Sequence, residues 1–292
     1  MNRNNCLGNG KDLVPPLVEC DGVLCRKWGL EDPDCVLVLV HGMGAHSARW
    51  MFLAEAMLKN NVASYAIELD GFGMTSGHKG YVDSFTTYFK KIKALAELAA
   101  SENKGKKIFL AGESMGGLIS FSMIKETDLF GGLICISPAF RSGMKMNLGF
   151  LTEIMLAAVF DKKKQFEMPF TSAMCTKDVW YQDVMDMERA EHRLATPTLL
   201  LEILKYQSMA FSPKHEINVP VLFLLAGSDK LVDVEASEDV YKKMRTKDKE
   251  IIEYDGAYHA LSIDTCREKV FRDIMGWITR HKKNDADWET CI

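Results

Sequence analysis

No stretch of this 292-residue chain reaches the roughly 18 consecutive apolar residues that a membrane-spanning helix needs. The start, Met1-Asn2-Arg3-Asn4-Asn5, lacks the apolar core of a secretory signal. The expected location is therefore cytoplasmic, with peripheral contact to membranes through the insert described below. Positive charge is not in excess. Lysine and arginine number 36 against 40 acidic residues, a net charge of −4, which speaks against a nucleic-acid partner held by phosphate neutralisation. The eight cysteines (Cys6, Cys20, Cys25, Cys35, Cys135, Cys175, Cys266 and Cys291) are scattered, and no pair has the spacing of a zinc or redox motif. No metal and no cofactor is expected. Cys20 and Cys25 could face each other across a hairpin, but free thiols in a reducing cytoplasm are the preferred reading. Cys291 is second from the end, so it is not a prenylation signal. There is no internal repeat and no low-complexity tract. What remains is ordinary for a globular protein, with 47% hydrophobic and 26% charged residues in a length that suits one large domain or a domain with an insertion.

The apolar runs alternate with helical patterns. Leu17 to Trp28, with Asp21-Gly22 at its centre, predicts a hairpin. Val36 to Val40 is apolar throughout, as a strand buried on both faces must be. A helix is expected over about Ala48 to Lys59, a strand over Val62 to Leu69, then a turn at Asp70-Gly71-Phe72-Gly73. A long helix should cover about Asp83 to Ser101, with Leu95, Leu98 and Ala99 at helical spacing. Further strands are expected at Ile108 to Ala111, Gly132 to Ile136, Val219 to Leu225 and Glu250 to Tyr254, and a last helix from about Asp264 to His281. This order implies an α/β fold, a mostly parallel sheet flanked by helices on both faces.

Residues 139–215 break the alternation. They divide the chain into a core of 1–138 and 216–292 and an inserted cap of helices and loops. Phe150 to Phe160 is nearly all apolar. Thr196 reads as the N-cap of another helix with Pro197 at its first position. Eight methionines fall here: Met144, Met146, Met155, Met168, Met174, Met185, Met187 and Met209. Methionine adapts to irregular apolar ligands, and it also packs cores; both readings stay open. Candidate substrate contacts are Met155, Val159, Leu200 and Leu204. Phe150 to Phe160 is either a helix buried against the core, the preferred reading, or an interfacial helix in transient contact with a membrane surface.

Chemistry concentrates at Gly112-Glu113-Ser114-Met115-Gly116. A strand precedes it, and a helix is expected from about Gly117. On such an elbow the serine hydroxyl stands above the sheet edge while the glycines let strand and helix pass closely. A serine needs a base. Of the seven histidines, His259 follows the last strand in a loop, whereas His281 ends the last helix, where a cation meets the negative end of the dipole. His259 is the candidate general base. Asp229 lies at the tip of the strand before it, in Gly227-Ser228-Asp229, and is the candidate acid. Asp233 fits better as the N-cap of a helix over about Glu235 to Arg245. The backbone N–H groups of Met43, in His41-Gly42-Met43-Gly44, and of Met115 suit an oxyanion hole. His41 and His46 read as structural braces of that loop, and Glu113 as an anchor of the elbow to a neighbouring loop or to the cap.

At these residues the chain resembles the monoacylglycerol lipase and lysophospholipase branch of the α/β-hydrolases. The likeness rests on His41 to Ser47, Asp70 to Gly77, Gly112 to Gly117, Gly227-Ser228-Asp229 and Tyr258-His259. It covers nearly the whole core and is weaker in the cap. It implies the α/β-hydrolase fold, a triad of Ser114, Asp229 and His259, and oxyanion donors at Met43 and Met115. Phe72 departs from the family, which often has a polar residue or histidine there. Glu113 departs from the animal monoacylglycerol lipases, which usually carry histidine; plant and bacterial members match this chain. The expected function is serine ester hydrolysis of a small lipophilic monoacyl ester through an acyl-enzyme. Alternatives are a carboxylesterase, a thioesterase, a feruloyl-type esterase or a peptidase of the same fold, although the cap has no acidic cluster to grip a peptide amine. A non-catalytic binding protein is the remote alternative.

Overall fold

The computed structural model describes residues 14–145, 147–212 and 217–282. Cys6, Met146, His215, Cys291 and the expected boundary between cap and core at 215/216 lie outside the described residues. The strands are β1 (Val18–Cys20), β2 (Val23–Trp28), β3 (Cys35–Val40), β4 (Val62–Ile67), β5 (Lys107–Glu113), β6 (Leu133–Ile136), β7 (Phe166–Glu167), β8 (Leu194–Ala195), β9 (Val221–Ala226) and β10 (Lys249–Tyr254). The helices are α1 (Met51–Leu58), α2 (Phe85–Glu102), α3 (Met115–Met123), α4 (Leu148–Phe160), α5 (Ser172–Cys175), α6 (Val179–Met187), α7 (Pro197–Ala210), α8 (Val234–Lys243) and α9 (Arg267–His281).

One eight-stranded sheet runs β1-β2-β4-β3-β5-β6-β9-β10. The β1–β2 and β2–β4 pairs are antiparallel and all others parallel. The interior strands need apolar side chains on both faces, and their period of two sorts them. Val36, Val38 and Val40 of β3 join Ile108 and Leu110 of β5 on the face covered by α2, α3 and α8. Cys35, Leu37 and Leu39 join Phe109 and Ala111 on the opposite face, under α1 and α9. Parallel pairing leaves the C-terminal ends of β3, β5 and β9 along one edge, where loops are free to carry function.

The segment between β6 and β9 differs from its expectation in detail. It holds four helices and, in addition, a two-stranded antiparallel pair, β7 with β8, which closes the loop around α5 and α6. Two residues per strand give no periodicity to read. The helix expected from Ala48 begins as a 3-10 turn over Ser47–Trp50 before α1. α7 starts as expected: Thr196 Oγ1 accepts from the Leu199 amide and donates to the Gly80 carbonyl at 2.8 Å. Asp233 likewise caps α8 through the Ala236 amide. α4 is corrected more fully. It is not buried against the core, since Ala157 is its one buried residue and Leu148, Met155, Val159 and Phe160 are largely exposed. No helix of the described residues is long and apolar enough to cross a membrane.

Candidate active site

β5 delivers Ser114 into a backbone conformation that L-residues rarely adopt, with φ 59° and ψ −122°. Such strain persists only where the surroundings enforce it. Here the Ser114 amide donates to the Ile136 carbonyl at 2.9 Å, and the Ser114 carbonyl accepts from Leu118 and Ala139. The motif glycines answer close approaches. A Cβ on Gly112 would stand 2.2 Å from the Gly116 carbonyl oxygen, and one on Gly116 would stand 2.1 Å from that of Val40. α3 begins at Met115 rather than Gly117, so the Met115 N–H belongs to the first turn, where helix amides have no internal acceptor. Gly42 abuts the nucleophile: a Cβ there would meet Ser114 Cβ at 3.0 Å. Next to it, Met43 and Met115 both line the cavity that Ser114 faces.

β9 ends at Ala226, and Asp229 follows in the tight turn after it. Asp229 Oδ1 accepts from the amides of Leu231 at 2.8 Å and Val232 at 3.0 Å. Oδ2 accepts from His259 Nδ1 at 2.8 Å, and both side chains are buried. With its Nδ1 proton held there, the ring's basic nitrogen is Nε2. Burial disfavours the imidazolium, but the charge and hydrogen bond of Asp229, with Glu113 adding, together hold His259 above the usual histidine value of 6.5. Ser114 and His259 line one cavity of about 410 Å³, whose walls are mostly apolar, with Met144, Met168, Phe170, Leu200 and Ile203 among them. Of the three residues proposed from the sequence, Asp229 and His259 are thus in direct contact, and Ser114 shares a cavity wall with His259; they follow β9, β10 and β5 respectively.

The four candidate substrate contacts divide. Leu200 and Leu204 lie on the cavity wall. Met155 and Val159 do not; each is 71% exposed, and α4 turns Leu151 and Ile154 to the cavity instead. Of the insert's methionines, Met144, Met168 and Met185 line the cavity, Met174 packs beside it, and Met155 and Met187 face solvent. Among the described residues no group of three or more His, Cys, Asp or Glu side chains is placed to hold a metal.

Several supporting residues carry roles the sequence showed only in part. His41 accepts from the Leu69 amide at Nε2 (3.1 Å) and donates from Nδ1 to the Gly42 carbonyl, bracing the oxyanion loop as a neutral ring. Phe72 is fully buried with its ring edge-on to His41 at 5.9 Å, which accounts for an apolar residue there. His46 is pushed down to about 4 by burial and then by Arg49. Glu113 reaches the histidine loop rather than the cap: Oε1 accepts from the Ser262 amide at 3.0 Å and Oε2 from Ser262 Oγ at 2.9 Å. Three residues have roles that sequence reading missed. Arg49 and Glu191 form a buried ion pair on the cavity wall. Asp264, expected only to start the last helix, accepts from Thr176 Oγ1, Lys177 N and Tyr258 N, tying the insert to the histidine loop. Their partners lie far away in sequence, so no local pattern announces them.

Residues 31–265 match the family model described as serine aminopeptidase, S33. The chain belongs to this family. Human monoglyceride lipase is 24% identical over 276 residues, spanning 91% of this chain and 90% of that protein. Phospholipase YtpA of Bacillus subtilis is 26% identical over 251 residues, 84% of this chain and 95% of that one. Among solved structures, the monoacylglycerol lipase of Paleococcus ferrophilus superposes with a TM-score of 0.80 at 25% identity, covering 89% of this chain and 99% of that one. Within the S33 family this chain is therefore a monoacylglycerol lipase-like α/β-hydrolase and an ester hydrolase.

Proposed function

We propose that this S33 member cleaves lipophilic monoacyl esters, of the monoacylglycerol or lysophospholipid kind, through an acyl-enzyme. Ser114 Oγ attacks the ester carbonyl while His259 Nε2 takes its proton. The Met43 and Met115 amides receive the oxyanion, each worth about 3 kcal/mol of transition-state stabilisation. His259 returns the proton to the departing alcohol, and water activated by the same ring releases the acid. Asp229 keeps the ring in the required tautomer and stabilises its charged form. The observation that carries this reading is the Asp229–His259 bond of 2.8 Å, with His259 and a strained Ser114 on the wall of one mostly apolar cavity of about 410 Å³.

Residues 139–215 act in this reading as a cap over that cavity, and the exposed apolar face of α4 rests on the lipid surface that supplies substrate. Six described cysteines are free thiols, which fits work in a reducing compartment. The family description names an aminopeptidase, but both carboxylates on the cavity wall are already engaged, Glu113 with Ser262 and Glu191 with Arg49, leaving neither for a substrate ammonium. Ser114→Ala is expected to abolish hydrolysis of short aryl esters and labelling by a fluorophosphonate, and surviving activity would refute the mechanism. Turnover across mono-, di- and triacylglycerol, lysophospholipid, a feruloyl ester and an amino-acid anilide then tests the substrate, with the monoacyl lipids expected to lead.

A further inference from the structure

Glu113 stands immediately before the nucleophile, its carboxylate buried and both oxygens spent on one residue, Ser262. Ser262 is three positions past His259. The turn between them is closed by Leu261 N donating to the His259 carbonyl and Ile263 N to that of Ala260. The far end of the histidine loop is thereby fastened to the tip of the strand that carries Ser114. We infer that Glu113 is a positioning residue: it holds the His259 loop against the nucleophile elbow and, as a buried anion, favours the imidazolium that forms during turnover. This rests on the triad reading above.

Two parts of the proposal have separate physical causes. The geometric part is the pair of hydrogen bonds, one to a backbone amide that no side-chain change at 262 removes. The electrostatic part is charge between two buried side chains, where a nearby anion weighs more than in solvent. The charged and titratable groups around the ring are Asp229 on its Nδ1, Glu113 from β5, Arg49 with its partner Glu191, the Cys175 thiol of α5, and Asp264 on the amide of Tyr258. Asp229 and Glu113 favour the protonated ring, and Arg49 opposes it. Glu113's own carboxyl is pushed up by burial, against the pull of the Ser262 amide, His259 and Arg49. Each charge favours the other: an imidazolium at 259 lowers the Glu113 carboxyl, and a carboxylate at 113 raises the ring.

Glu113→Gln keeps the shape and the acceptor for the Ser262 amide but removes the charge. The acid limb of kcat/KM should then move to lower pH by about half a unit or more, because the imidazolium has lost an anionic neighbour. Glu113→Ala removes the clamp as well, and kcat should fall about ten-fold or more while KM stays within about two-fold, because the ester still binds but meets a misplaced base. Ser262→Ala keeps the charge, so its acid limb should stay with the wild type. An acid limb unmoved in Glu113→Gln, or an unchanged kcat in Glu113→Ala, overturns the inference. Ser114→Ala in the same assay separates the two claims: if it stays active the triad reading fails, and if it is inert while Glu113→Gln shows no shift, only this inference fails.

Discussion

Burial alone lowers a histidine's pKa, because it strips water from the charged ring. His46 shows that effect with Arg49 adding to it, down to about 4, whereas His259 is carried the other way by Asp229. Opposite consequences for pH follow. His46 stays neutral in the fold, while the unfolded chain takes up a proton below about 6.5. Stability from this residue is therefore present above 6.5 and lost as pH falls toward 4, by about 2 kcal/mol at pH 5. His46→Gln should flatten that loss, read as a smaller drop in urea midpoint between pH 7 and pH 5; an equal drop in wild type and variant argues against it. His259 contributes stability below 6.5 that disappears as pH rises through its raised folded value. Activity runs against this, since a base must first lose its proton. The acid limb of kcat/KM should have its midpoint above 6.5, and a midpoint at or below that value would mean that Asp229 does not govern the ring.

At the scale of elements, the elbow is defined by what cannot be added to it. A Cβ on Gly116 would sit 2.1 Å from the Val40 carbonyl and 2.6 Å from that of His41, both backbone atoms that cannot swing aside. Gly116→Ala should cost about 1–3 kcal/mol and lower Tm by several degrees. Gly149→Ala, on α4 with only Asn147 Oδ1 at 3.5 Å nearby, serves as the control and should be neutral or slightly stabilising. A harmless Gly116→Ala would mean that α3 and the end of β3 are farther apart than described. These elements were legible in the sequence for a physical reason. β3, β5 and β9 are buried on both faces and so spell continuous apolar runs, and the elbow needs glycine where nothing else fits. Elsewhere the signal was missing. α4 is apolar on nearly every side, so its sequence names no preferred face, and Met155 and Val159 looked as fit for the cavity as Leu151 and Ile154. β7 and β8 are too short for a period to show, and Asp264 acts through Thr176 and Lys177, which only folding brings near.

Taken over the whole molecule, the insert is held unevenly. α7 is locked to the core: Glu202 accepts from Ser84 Oγ and the Phe85 amide, and Tyr206 stacks on Phe85 with ring centroids 5.1 Å apart. Leu199 is fully buried, and Gln207 Nε2 donates to the carbonyl of Ala139, the first residue of the insert. α4 has one buried residue, an N-cap from Asn147 to the Phe150 amide, and an edge contact between Phe150 and Phe166. Helices with few buried contacts open at low free energy, while packed ones approach the global limit. Amides of α4 should therefore exchange with deuterium well before those of α7. If the exposed apolar face of α4 rests on lipid, phosphatidylcholine vesicles should slow exchange across 150–160 and leave 199–210 unchanged. Equal protection of the two helices in buffer would place the mobile part of the insert elsewhere. Exchange in α4 that ignores vesicles would remove the lipid surface from the proposal and leave the ester to reach Ser114 from solution.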